Sequence, residues 1–443
     1  MRKIWLTAAA LAALSSAAAQ AQTVRLGEAV DRALSREPAL RQAQEQLSAA
    51  EAGVAEAKLS RLPRLSAQTT VTRGDDPVYA FGTLLEQRSF TAKDFNVDTL
   101  NSPGYRTNIK TSLQLGVPLF TGFELTHGQE LRRLQADSAA AGRDQAAQTI
   151  RYQVLETYLR VLLNRAAAEE TSVRIASATA ELDEARRLKA RGLVLGSDFY
   201  AAQAVLAGLK AAKIRAESGL AEARGALAVL AGPGEAAGTL EDAAYAAASA
   251  AVAERPDLKQ AAAAESAAAV MSRREALSLL PRVSAFAAVE TDTSDFGSNP
   301  ANRLVGLRAE LPFGDATYLR RRQRADAVRR SARAGREAAE EAARLEADRR
   351  LSRLQGALAA LPVLREAVEQ AGKSLELFRP LYREGRQSIF DVLRAEESLL
   401  KTREGCLETL YQAHAGYAGL RLAEGRLDAA AVAEIEKHLG SPR

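Results

Sequence analysis

The chain has 443 residues, 47% of them hydrophobic and 26% charged, which fits an ordered protein and excludes wholesale disorder. A single cysteine, Cys406, excludes a disulfide scaffold, and three histidines (His127, His414, His438) leave little material for metal or His-based catalytic sites. The net charge of +5 is a small excess spread over many ions. Aromatics are only 5%, and Ala, Leu, Arg and Glu dominate, a composition of long helices.

The first residues read as an export signal. Arg2 and Lys3 precede an apolar stretch from Ile4 to Leu14, and Ala19-Gln20-Ala21 offers a cleavage site. Residues 1–21 are therefore expected to be removed, which lowers the net charge of +5 to +3. An exported chain of that charge has no evident business with nucleic acid. Beyond the signal, no run of about 18 uncharged apolar residues predicts a membrane-spanning helix.

The rest is written twice. One shift aligns Pro38 with Pro256 and Pro63 with Pro281, and carries along Leu62/Leu280, Arg64/Arg282 and Ser66/Ser284. A smaller shift aligns Gly192 with Gly385 and Asp198 with Asp391, because the first half holds an extra segment, roughly Arg73 to Tyr105. The expected repeats are 22–240 and 241–427, with a tail at 428–443.

Each repeat opens on a helix, Leu26 to Leu59 and then roughly Ala250 to Leu277. A Pro-led strand follows, with period-two alternation at Leu65, Ala67, Thr69, Val71 and at Val283, Ala285, Ala287, Val289. Next come turn-rich loops at Asp75-Asp76-Pro77 and Gly297-Ser298-Asn299-Pro300. The second strands carry Leu113, Leu115, Val117 and Val305, Leu307, Ala309, and each is predicted to end at a proline, Pro118 or Pro312. Long helical stretches then run from Gly122 to Arg191 and from Tyr318 to Arg383, each returning through a second helix. About 70 residues at 1.5 Å each make a rod near 100 Å long, and rods of that length must pair as coiled-coil hairpins. Pro362 and Pro380 are expected to kink or divide the second one.

Four strands with one apolar face cannot close on themselves or hide their edges. In an exported protein the outer membrane is the natural place for them, and only a closed barrel satisfies every backbone group there. Several chains would then pool strands, three of them giving 12. The alternative is a small soluble sheet on a periplasmic coiled-coil adaptor or scaffold.

The duplicated order, with Glu37-Pro38-Ala39-Leu40, Arg255-Pro256-Asp257-Leu258, Leu62-Pro63-Arg64, Leu280-Pro281-Arg282 and Val117-Pro118-Leu119-Phe120-Thr121-Gly122, resembles the TolC family of outer-membrane efflux proteins. The resemblance covers Val24 to about Leu427. It implies a mainly α fold with a β contribution, a homotrimer with a 12-stranded barrel on a 12-helix periplasmic tunnel, and no cofactor or enzymatic activity. It also implies a passive duct in a tripartite efflux or type I secretion system, served by a periplasmic adaptor and an inner-membrane pump.

By position, the resemblance assigns Asp198, Tyr382, Gln387, Asp391 and Arg394 to a periplasmic aperture. It assigns Arg191, Gly192, Leu193, Glu384, Gly385 and Arg386 to hairpin tips that meet the adaptor. Rings of carboxylates there would favour cations. Gln387 stands where the family often has Arg, and Arg394 where a second Asp can sit, so a doubly acidic ring is not implied. Asp198 and Asp391 would equally suit helix N-caps. The arginine run Arg320, Arg321, Arg322, Arg324, Arg329 and Arg330 reads as a solvated helical face.

Overall fold

The computed structural model describes residues 23–192, 194–246, 252, 255–297 and 299–440. The export signal and Leu193 lie outside them. In chain order the elements are β1 (Thr23–Val24), α1 (Leu26–Arg36), α2 (Pro38–Leu59), β2 (Arg64–Gly74), α3 (Pro77–Glu86), α4 (Val97–Asn101) and β3 (Arg106–Phe120). Then come α5 (Glu124–Ala190), α6 (Gly196–Ala231), β4 (Glu235–Ala236), β5 (Thr239–Leu240), α7 (Pro256–Ala276), β6 (Arg282–Thr293) and β7 (Asn302–Glu310). The chain closes with α8 (Tyr318–Arg383), α9 (Ile389–Ala423), α10 (Ala429–Lys437) and β8 (Leu439–Gly440). The fold is mainly helical, with one substantial sheet.

Four expectations are corrected. The opening helix is two helices, α1 and α2, broken at Glu37, whose backbone is extended (ψ 119°) because Pro38 follows it. The second strand of the first repeat does not stop at Pro118; β3 continues to Phe120, with its register against β6 shifting between Pro118 and Phe120. The segment after Asp75 is not a plain turn, because Asp76 caps α3 by accepting from Tyr79 N at 2.9 Å. Pro362 and Pro380 divide nothing: both lie inside the single helix α8.

The chain forms two compact units, each drawing on both sequence halves. One contains Leu47–Ser138 and Ala262–Gly335. Its centre is an antiparallel sheet in the order β2-β3-β6-β7. The register Leu65↔Leu115, Leu115↔Ala287 and Ala287↔Val305 carries the odd-numbered apolar residues across one face. Most of that face is bare (Leu65 is 66% exposed, Val305 78% and Leu307 72%), while its end at Ile109 and Thr293 is buried. The opposite face carries Gln68, Thr70, Lys110, Gln114, Glu290, Asp292 and Arg308, with Lys110 paired to Glu290 at 2.9 Å. β2 and β7 are open edges.

On the polar face Phe286 lies over its register partner Gly306, and the Arg308 guanidinium stands 5.5 Å from the ring centroid. A Cβ at residue 306 would fall 2.7 Å from Phe286 Cζ. Gly306→Val is therefore expected to destabilise the sheet by about 1–3 kcal/mol through overpacking. Denaturation midpoints of this variant and of Gly306→Val/Phe286→Ala test it, since the second change should recover much of the loss.

The other unit contains residues up to Gln46, Ala139–Ala261 and Arg336 onward. It holds two apolar clusters. One joins α1, α5, α6, α8, α9 and α10 through Leu26, Leu155, Leu227, Leu354, Leu420 and Ile435. Tyr158, 1% exposed, lies there with its hydroxyl 2.9 Å from Val24 O and 2.6 Å from Ala237 O. The other cluster joins the hairpin ends through Leu182, Ala185, Phe199, Leu375, Tyr382, Ile389 and Leu393.

Candidate functional site

The hairpin ends turn on left-handed glycines, Gly192 (φ +77°) between α5 and α6 and Gly385 (φ +71°) between α8 and α9. At the second turn Gly385 N donates to Tyr382 O and Arg386 N to Leu381 O, both at 2.9 Å, which satisfies the last carbonyls of α8. A side chain at either glycine would be strained by the backbone alone. Glu384, Gly385, Arg386, Arg191 and Gly192 are exposed, and an open ion pair joins Arg386 to Glu384 at 3.5 Å. Leu193 lies outside the described residues.

The two aspartates are not N-caps; both occupy the first turn. Ser388 caps α9, and Asp391 closes a capping box with it: Asp391 N donates to Ser388 Oγ and Ser388 N donates to Asp391 Oδ2, each at 3.2 Å. Asp198 makes no such box, because the cap of α6 is Leu195, which has no side-chain oxygen to offer. Its Oδ1 accepts from Ser197 Oγ at 3.3 Å. Both aspartates are half-buried, whereas Gln387 and Arg394 are exposed. Lys189 stands 4.5 Å from the ring centroids of Phe199 and Tyr200, fastening the end of α5 to the start of α6.

Tyr382 belongs to the apolar cluster. It is 6% exposed, and its hydroxyl has no hydrogen-bond partner among the described residues. Burial, and then the carboxylates of Glu184 and Glu181, push its phenol up, so it stays protonated as an unused donor. A buried unpaired hydroxyl costs free energy unless something accepts from it.

About two turns into α9 lies a group that motif reading missed. Glu396 is fully buried. Its Oε2 accepts from Arg174 Nη1 at 3.0 Å, and its Oε1 from Ser177 Oγ at 2.6 Å and from Arg379. Arg379 Nε also donates to Glu181 Oε1 at 2.8 Å. Burial raises the Glu181 carboxyl, opposed by that guanidinium. Three helices, α5, α8 and α9, are thus tied through one carboxylate. A signal was present: Leu393, Glu396 and Leu400 share the buried stripe of α9, and a charge on such a stripe needs a buried partner.

Among the described residues no helix is long and apolar enough to cross a membrane. Nor do any three His, Cys, Asp or Glu side chains cluster as metal ligands. Residues 29–233 and 247–426 match the family described as outer membrane efflux protein, and the chain belongs to that family. It is an outer-membrane protein of the TolC-like class. Among solved structures, CusC aligns with a TM-score of 0.78 at 17% identity, over 90% of this chain and 91% of that one. VceC of Vibrio cholerae aligns at 0.77 and 19% identity, over 90% and 96% of the two chains. The CmeC outer membrane channel of Campylobacter jejuni aligns at 0.77 and 15%, over 94% and 89%. These likenesses are of fold. No curated protein matches the sequence.

Proposed function

We propose that the chain is one subunit of a trimeric outer-membrane channel, a passive duct from periplasm to exterior. The observation that carries this is the sheet β2-β3-β6-β7, with a largely bare apolar face, a polar face and two open edges. A lone sheet of that kind leaves both its edge hydrogen bonds and its apolar area unsatisfied. Closing three copies edge to edge into a 12-stranded barrel satisfies both in lipid. The long hairpins α5–α6 and α8–α9 then line the periplasmic tunnel, within repeats spanning 22–240 and 241–427.

In this reading a periplasmic adaptor docks on the exposed tips at Arg191–Leu193 and Glu384–Arg386, and an inner-membrane pump of an efflux or type I secretion system drives cargo through. The duct itself performs no chemistry. Asp198 and Asp391 supply the aperture carboxylates, with Arg394 and Gln387 moderating the ring. Tyr382, buried with an unpaired hydroxyl, is the hinge-side residue whose donor finds an acceptor when the tip rearranges.

The test is single-channel conductance in a planar bilayer beside the mass of the detergent-extracted particle. Stable steps from a particle of three chains are expected. Asp391→Ala should weaken cation preference and cost about 1 kcal/mol in helix capping. A soluble monomer that never conducts would instead support the periplasmic adaptor or scaffold.

A further inference from the structure

β2 and β3 stay in register up to Gly74↔Arg106, so a connection of about 2–5 residues would close that hairpin. The chain instead spends Asp75 to Tyr105 there, including α3, a 3-10 turn at Ala92–Phe95 and α4. This segment is packed rather than dangling. Ala80 and Thr83 are each 2% exposed, and Phe90 makes edge-to-face contacts with Phe81 and Phe95 at 5.3 and 5.8 Å.

Its side-chain hydrogen bonds reach the polar face of the sheet, although Ile109 and Thr293 at the same end of the other face are buried as well. Just after α3, Gln87 Nε2 donates to Asn108 Oδ1 at 3.1 Å, and Asn108 Nδ2 donates to Asp292 Oδ1 at 2.7 Å. Arg88, held in the left-handed region (φ +55°), reaches Asn302 Oδ1 at 3.3 Å, and Asn299 Nδ2 donates to Gln87 O at 3.0 Å. In the register Lys110↔Asp292 and Glu290↔Asn302, the residues Asn108, Asp292 and Asn302 all belong to the polar face. Asn108 and Asp292 are 6% and 2% exposed although their face is the wet one, because the loop covers them.

We infer that Asp75–Tyr105 folds into the external mouth of the barrel and acts as its size filter, restricting what passes by bulk. The inference rests on the channel reading: with the apolar face toward lipid, the polar face that holds the loop is the inner wall. Three such loops would meet around one axis. Pore diameter and lining polarity then decide which solutes leave.

The experiment uses intact cells carrying the full chain in a Cys406→Ala background. Gln114→Cys puts one thiol deep on the polar face and Leu115→Cys puts one on the apolar face. External thiol reagents, a small charged maleimide and a bulky polyethylene-glycol maleimide, are applied with the loop native or with Pro77–Asn101 replaced by a short Gly-Ser linker. Loop replacement is expected to speed bulky labelling of Gln114→Cys by about tenfold or more while leaving the small reagent little changed. Gln87→Ala/Asn108→Ala, which frees the loop without shortening it, should give an intermediate rate. Equal bulky labelling with and without the loop would overturn the filter. If Leu115→Cys labels as fast as Gln114→Cys, the barrel reading itself falls, and the filter with it.

Discussion

Glu396→Ala is expected to destabilise the protein by about 3 kcal/mol or more, because it strands the largely buried Arg174 guanidinium rather than merely deleting a contact. Glu396 is wholly buried and Arg174 is 12% exposed at its side chain, so that arginine has little access to water, whereas Arg379, 34% exposed, keeps Glu181 as a partner. Among the described residues, this carboxylate is the group that joins Ser177 on α5 and Arg379 on α8 to α9. Glu396→Gln keeps the shape and one acceptor, and should lose roughly half as much. The open pair Arg386–Glu384 is the control: Arg386→Ala should change stability by less than about 0.5 kcal/mol. Salt separates the two classes further, since about 1 M salt screens exposed pairs to within ~3 Å but leaves a buried one in place. Denaturation midpoints at low and high salt read both effects. Loss of the tie should also loosen the α8–α9 turn and raise basal conductance. A midpoint unchanged in Glu396→Ala would show that the network carries no net stability.

Much of this fold is legible from residue type alone, because the physical constraints are severe. The alternation through Leu65, Ala67, Thr69 and Val71 forces a two-faced strand, and the long stretch ending at Arg191 can only be helix. Legibility fails where tertiary context decides. Asp76-Pro77 signals a turn and a helix start equally well, and α3 forms because Ala80, Thr83 and Leu84 find a surface to cover. Pro362 and Pro380 lose a backbone donor each, yet packing around Leu361 and Tyr382 keeps α8 whole. At the tips, the turn glycines Gly192 and Gly385 follow from chain reversal, and their left-handed φ values are what a glycine supplies. Tyr382 and Asp391 came from resemblance, which places them in sequence but says nothing of their surroundings. In the folded chain the first is buried with an idle hydroxyl and the second is engaged by Ser388. Glu396 lay in plain view on an apolar stripe, but its partners come from two other stretches of chain, α5 and α8.

Acidification should weaken the clasp between the inter-repeat linker and α9. His414 is fully buried, its Nδ1 shares a short hydrogen bond with the Tyr245 hydroxyl, and its Nε2 has no partner among the described residues. Tyr245 stacks on Tyr417 at 4.2 Å and meets the His438 ring edge-on at 4.8 Å. The charged groups facing this cluster are Asp242, itself bound by Arg365 at 2.9 Å, and Glu434 beside His438. Burial pulls the His414 pKa from 6.5 down to about 4, reinforced by His438 and opposed by Asp242. A depressed folded value means the unfolded chain binds the proton first. The stability this neutral imidazole contributes is therefore complete above pH 6.5 and drains away as pH falls toward about 4. The full loss is about 3 kcal/mol. Chemical denaturation across that range should show it in the native protein. His414→Gln, which cannot titrate but can still hydrogen-bond Tyr245, should flatten the dependence at some fixed cost in packing. Identical pH slopes in the two proteins would place acid sensitivity elsewhere.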